Sequence, residues 1–172
     1  MEIGVSMEFQ ELRKQLPDIF EQVKRDVEDE IGHHRAGLAL GLVEMGMFRG
    51  GFIGGMFFSG GTMILMNKTP LRIIMAEQPE EVVWAYNYHI LLHEYLHSLG
   101  FMDERQVRAL TLGITRNVFE DPGHPSVVLA ERGIGAFFPN LPLIYAPPGF
   151  SPKGLHIDVV KDFDKGSQTY FS

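Results

Sequence analysis

The sequence predicts an α+β domain: an N-terminal helix, a small β-sheet meander, a buried helix, and a second helix packed against it. Three features carry that expectation. Residues 8–32 set Leu12, Leu16, Phe20, Val23, Val27 and Ile31 on one stripe at helical spacing. Residues 36–75 break into short apolar runs separated by Gly-rich or Asn/Pro-containing turns. PEEVVWAYNYHILLHEYLHSLG then reads as a long helix, apolar on most sides, as a helix inside a domain is.

Each element has its own signals. The face of the first helix opposite the stripe carries Lys24, Arg25, Glu28, Asp29 and Glu30 and reads as solvated; Pro17 is expected to restart the helix at a first turn. AGLALGLVEM, FIGGMFF, TMILMN and PLRIIM are the expected strands, although Leu38, Leu42 and Met45 of the first run also suit a helix. Arg49-Gly50-Gly51, Ser59-Gly60-Gly61 and Asn67-Lys68-Thr69-Pro70 are the expected turns. Pro79 suits the first position of the long helix, Glu80 and Glu81 complement its dipole, and Gly100 stops it. A following helix over residues 103 to about 119 would bury Val107, Leu110, Ile114 and Val118, with Asp103 and Gln106 resembling a capping box. Further on, residues 126–132 suit a short helix, PNLPLIYAPPGFSP an extended or looped segment, and LHIDVVKDF a final strand.

Composition narrows the function. The 172 residues, 45% hydrophobic, make one domain over 1–172, with its core at about 36–120 and a loop-rich stretch over 121–172. The lack of cysteine excludes disulfides, thiolate metal sites and cysteine nucleophiles, and it fits a reducing, cytoplasmic setting. A net charge of −7 without a Lys/Arg cluster argues against nucleic acid or an anionic membrane as partner. The first nine residues carry early acids and no basic start, so no secretory signal is expected. The uncharged stretch GGFIGGMFFSGGTMILMN contains six glycines, which disfavours a spanning helix and favours a buried β-hairpin. Its glycines match no phosphate-cradling pattern and read as turns and close strand packing.

The chemistry concentrates in His93-Glu94-Tyr95-Leu96-His97. Residues four apart on a helix share a face, so His93 and His97 can both aim imidazoles at one ion. Glu94 sits about a hundred degrees round, within reach of a water on that ion. One Zn2+ suits the pattern: two nitrogen ligands, a third ligand, and an open position for water, with Glu94 as the group that takes and returns the proton. Given this chain's His and Glu content, such a string arises by chance in about two per cent of shuffled sequences, which favours metal over a structural histidine pair. His89, one turn earlier, reads as a supporting or core histidine. His33 and His34 read as surface residues, and Trp84, Tyr86, Tyr88 and Tyr95 as packing.

His93-Glu94-Tyr95-Leu96-His97 resembles the zincin metallopeptidase signature, and the order before it is similar to a minimal zincin half-domain. The resemblance covers about residues 36–120. It implies a zincin-like fold, a peptide or protein substrate, and a last strand before the motif helix, TMILMN or PLRIIM, that lines the cleft and pairs with an extended peptide. For the third ligand two forms compete. His93-x3-His97-x2-Gly100-x2-Asp103 resembles the metzincin pattern with Asp103 as ligand, although metzincins carry a methionine turn and no methionine follows Met102. Glu104 followed by Val107 echoes the gluzincin arrangement, in which a glutamate on the next helix is the ligand. Glu120 and His124 are weaker candidates, because a sixteen-residue helix spans about 24 Å and carries its far end away from the histidines.

The leading expectation is therefore a zinc-dependent peptidase with His93, His97 and Asp103, or Glu104 in its place, as ligands and Glu94 as base. The alternative is a metal-binding or regulatory module on the same scaffold that turns nothing over. Tyr145 is a candidate oxyanion donor, and the Pro-rich stretch with the tail GSQTYFS a candidate autoinhibitor of the cleft.

Overall fold

The chain begins with a 30-residue helix, α1 (Glu2–Ile31). The computed structural model describes residues 2–47, 51–138, 143–144 and 154–164, with side chains from Phe9 onward. The strands β1 (Ala39–Val43), β2 (Phe52–Ile53), β3 (Gly55–Phe57) and β4 (Met63–Asn67) follow. Four helices come next: α2 (Lys68–Glu77), α3 (Glu80–Ser98), α4 (Glu104–Phe119) and α5 (Pro125–Arg132). A 3-10 turn at Ile134–Ala136 and the short strands β5 (Leu143–Ile144) and β6 (Asp158–Val159) close the described chain. The class is mixed α+β, as the sequence predicts.

Pro17 lies inside α1 and does not restart it. It forfeits one backbone hydrogen bond, but the buried stripe Leu12, Leu16, Phe20, Val23 and Val27 runs past it on both sides and keeps the helix whole. The sheet is not a meander. Its order is β3-β4-β1-β6, with β1 parallel to β4 and antiparallel neighbours outside them. The chain leaves β1, turns back through β3, and enters β4 alongside β1 in the same direction. PLRIIM, expected as a strand, forms most of α2. The Asn67 side chain caps that helix by accepting from the Thr69 N–H at 3.1 Å, and buried Pro70, Leu71 and Ile74 share one helical face. The adjacent isoleucines give the run its strand-like look; the cap and the helical period decide.

The uncharged stretch does form a hairpin, β3 against β4, turning through Gly60 at φ +80°. Among the described residues no helix is long and apolar enough to cross a membrane. Leu40, Leu42, Ile64 and Met66 belong to the main core that the sheet shares with the helices, while Val43, Met56 and Leu65 form a second small cluster. The alternation along β1 and β4 separates the two sets by sheet face. Residues beyond 120 also contribute to the main core, as Leu129, Ile134, Phe138, Val160 and Phe163 are buried there. Lys24 Nζ meets Asp164 Oδ1 at 2.5 Å in this interior, and Phe163 stacks on Phe20 at 4.2 Å.

Helix α3 is the axis of the molecule, packed by α1, α4, α5 and β3. Tyr86, Tyr88 and Tyr95 are fully buried along it, so its aromatics are packing residues as expected. Trp84 stacks on Tyr88 at 5.2 Å, and the Tyr88 hydroxyl donates to Asp26 at 2.7 Å. Pro79 is the N-cap, one place earlier than predicted, and Gly100 takes φ +103° just past the C-terminal end.

One buried side chain joins the loops around this axis. Asn67 donates through Nδ2 to the carbonyls of Gly46 (3.1 Å) and Ile53 (2.9 Å), and its Oδ1 accepts from the N–H groups of Met45 (2.9 Å) and Thr69 (3.1 Å). Its backbone N–H donates to the Gly54 carbonyl at 2.9 Å. Replacing it leaves several buried groups without partners. Asn67→Ala is expected to cost about 3 kcal/mol of stability, read as a lower urea midpoint. An unchanged midpoint would show that other contacts hold these loops.

Candidate metal centre

Helix α3 places His93 and His97 one turn apart, and burial of Tyr95 and Leu96 between them fixes the rotation of the helix. Both histidines are buried, and their ring centroids lie 5.0 Å apart. The Tyr95 hydroxyl accepts from the Arg35 N–H at 2.9 Å, and its ring meets Phe20 edge-on at 5.4 Å. The Arg35 guanidinium donates to the carbonyls of Ser98 (2.6 Å) and Gly61 (2.8 Å), clamping the end of α3 to the β3–β4 turn.

The turn after α3 decides which acid faces the histidines. Asp103 is the N-cap of α4, with its Oδ1 accepting from the Arg105 N–H at 2.9 Å, and its side chain is committed there. Glu104, the next residue, opens the helix and points back at the pair. Its Oε2 lies 3.0 Å from His93 Nε2, and its Oε1 lies 2.7 Å from His97 Nε2. Of the two candidate acids, Glu104 is the one placed against the histidines, and Asp103 is the helix cap. One ligand atom each from His93, His97 and Glu104 falls within 4.8 Å of the others, so this group could hold a metal ion.

The supporting contacts suit that role. His97 Nδ1 donates to the Phe101 carbonyl at 2.8 Å, which leaves Nε2 as the atom facing Glu104. Burial works against a charge on His97, yet the hydrogen bond to Glu104 and the nearby carboxylates outweigh it and raise its pKa. Burial would raise Glu104, but hydrogen bonds from both imidazoles pull its carboxyl down to about 2. The two shifts run in opposite directions and favour an ion pair between the Glu104 carboxylate and the His97 ring.

Glu94 is buried beside this group. Burial pushes its carboxyl pKa up, against the pull of His93 and His97. It borders a gap of about 10 Å³ with Gly54, Gly55, His89, Ile90, His93, Leu143 and Ile144. His89 is half-buried, held neutral by burial and by His93 with its pKa lowered to about 4, and its Nδ1 has no partner among the described residues. It flanks the centre without joining the ligand group.

The remaining sequence candidates lie elsewhere. His124 caps α5, its Nδ1 accepting from the Ser126 N–H at 3.0 Å, and its ring stacks on Phe119 at 4.2 Å. Glu120 ends α4 at φ +47°. His33 meets Phe101 edge-on, and His34 lies 3.6 Å from Glu28. Tyr145 and the tail lie outside the described residues, as does the Pro-rich stretch apart from Leu143 and Ile144. The cleft strand also differs from expectation. β4 is flanked by β3 and β1, and PLRIIM is helical, so neither can receive a peptide. The stretch packed on α3 beside Glu94 is 52–57. A Cβ on Gly55 would come within 2.8 Å of Ile90 Cγ2 and 2.9 Å of the Leu65 carbonyl oxygen. That close approach was legible only as a pair of glycines in an apolar run.

The pair Glu104–His97 gives a signature in metal-free protein. Glu104 is depressed from 4.5, so its contribution is present above about pH 4.5 and lost as pH falls towards about 2. His97 is raised from 6.5, so its contribution is full below 6.5 and lost as pH rises through its folded value. With chelator present, the stability difference between wild type and Glu104→Gln should peak between those limits in thermal unfolding. A difference flat with pH would rule the pairing out.

Comparison of the chain with protein-family models, curated proteins and solved structures gives no match.

Proposed function

We propose that this chain is a zinc-dependent peptidase of zincin-like fold, with His93, His97 and Glu104 as ligands to one Zn2+ and Glu94 as general base. The observation that carries the reading is the Glu104 carboxylate, within 3.0 Å and 2.7 Å of the two imidazole Nε2 atoms. Two neutral nitrogens and one carboxylate oxygen form a donor set suited to catalytic zinc, with one position left for water. When bound, the ion supplies an acidified water and a Lewis acid for the scissile carbonyl.

The chain's own groups do the rest. Helix geometry keeps the two imidazoles in place, and the Phe101 carbonyl holds the His97 tautomer. Glu94 is buried next to His93, and its raised affinity for a proton suits a base that must later hand the proton to a leaving amine. The outer edge of 52–57, against Glu94, is where an extended peptide would add to the fold. The acidic, cysteine-free composition favours a peptide or protein substrate over nucleic acid, in a cytoplasmic setting.

Two measurements test this. Metal content by elemental analysis should be one zinc per chain in wild type and in Asp103→Ala, with affinity reduced by more than about a hundredfold in His97→Ala and Glu104→Ala. Loss of metal in Asp103→Ala with retention in Glu104→Ala would restore the aspartate as ligand. In a peptide-library assay Glu94→Gln should keep its zinc while hydrolysis falls by about 10³-fold. Zinc bound by a wild type that cleaves nothing would select the non-catalytic metal-binding module instead.

A further inference from the structure

The stretch 52–57 has two edges. On one, the Gly54 carbonyl accepts from the Asn67 N–H and the Ile53 carbonyl accepts from Asn67 Nδ2, continuous with the pairing of β3 to β4. On the other lies β5, parallel to β2, with Phe52 opposite Leu143 and Ile53 opposite Ile144. The chain has added a strand of its own to the edge that runs past the general base.

Leu143 has a prepared place there. A Cβ on Gly54 would lie 2.7 Å from Ile90 Cδ1, 3.0 Å from the Tyr86 hydroxyl and 3.1 Å from Leu143 Cδ1. The missing side chain at Gly54 is what lets an aliphatic residue settle between the strand and α3. Leu143 and Ile144 then close the gap that Glu94, His93 and His89 border. Two polar atoms near this junction, the Tyr86 hydroxyl and His89 Nδ1, are buried without partners among the described residues. Aliphatic side chains offer them no hydrogen bond.

We infer that Leu143–Ile144 occupies, from within the chain, a binding track for an extended peptide carrying a branched aliphatic residue over Gly54. The inference rests on the peptidase reading, since it takes the edge beside Glu94 as the substrate side. Among the described residues the internal strand pairs with β2 at two positions; a peptide in trans competes with it for that edge, and its apparent affinity is reduced by the fraction of molecules in which the track is filled.

The test uses zinc-loaded Glu94→Gln protein, which holds a peptide without cutting it, and the fluorescein-labelled hexapeptide AALIAA read by anisotropy. Adding Leu143→Asp and Ile144→Asp should tighten binding at least about tenfold. AADIAA should bind this emptied track at least about tenfold more weakly than AALIAA, and adding Gly54→Val should remove the gain. Equal affinity for AALIAA with and without the Asp pair overturns the inference. If the Asp pair does not fold, Leu143→Ala with Ile144→Ala carries the same comparison. Cleavage is scored separately with Glu94 intact. Tight binding by the emptied track without cleavage overturns the peptidase reading and leaves the track standing, whereas equal binding overturns the track whatever the cleavage result.

Discussion

A single carboxylate spanning two imidazoles at the junction of α3 and α4 sets the character of this protein. Glu104 reaches His93 and His97 only because the chain reverses at Gly100 and Asp103 starts a new helix at once. The reversal brings the first residue of α4 against the last turns of α3. Glu94 and both imidazoles are buried there while the Glu104 side chain stays 37% exposed, so the cost of crowding falls on the three buried groups unless their charges are settled. Glu104 favours a proton on His97, while burial raises the affinity of Glu94 for a proton of its own. A divalent cation among the three ligand atoms would satisfy the same groups and compete with a proton for the imidazole nitrogen.

This geometry is supported from outside the helix that carries it. Arg35 ties the Ser98 carbonyl to the Gly61 carbonyl, while its own N–H meets the Tyr95 hydroxyl. The segment after α1 therefore locks the end of the motif helix to the β3–β4 turn. Asn67 does the equivalent on the strand side, holding Ile53 and Gly54 in line beside Glu94 while capping α2. Gly55 lets the strand and the helix meet at the distance that puts Glu94 against the edge. These are backbone-directed contacts, which tolerate little drift and suit a centre whose ligands must stay within a few tenths of an ångström.

The parts of this arrangement that were legible in the sequence share one property: they are local. The histidines and Glu94 lie on a helix with its own capping and stop signals, and the hairpin through Gly60 follows from glycine and apolar spacing. PLRIIM was misread because its cap is an asparagine whose main business is with distant carbonyls of Gly46 and Ile53, contacts that spacing does not reveal. Pro17 was misread because the packing of α1 outweighs a local penalty. Asp103 and Glu104 are neighbours with the same chemistry, and only the direction of the turn separates a cap from a carboxylate at the site. The parallel pairing of β1 with β4, and of β2 with β5, joins residues far apart in sequence and leaves no periodic trace.

The two sides of the centre are built from different elements. On the ligand side every group sits on a helix, and its orientation is set by buried neighbours. On the strand side stands β5, which among the described residues comprises Leu143 and Ile144, seated over Gly54 and near the Tyr86 hydroxyl and His89 Nδ1, two atoms without partners among those residues. A strand of the chain's own on the edge beside Glu94, next to helix-borne groups whose orientation is set by buried neighbours, has the shape of the segment that the proposed peptidase would have to admit.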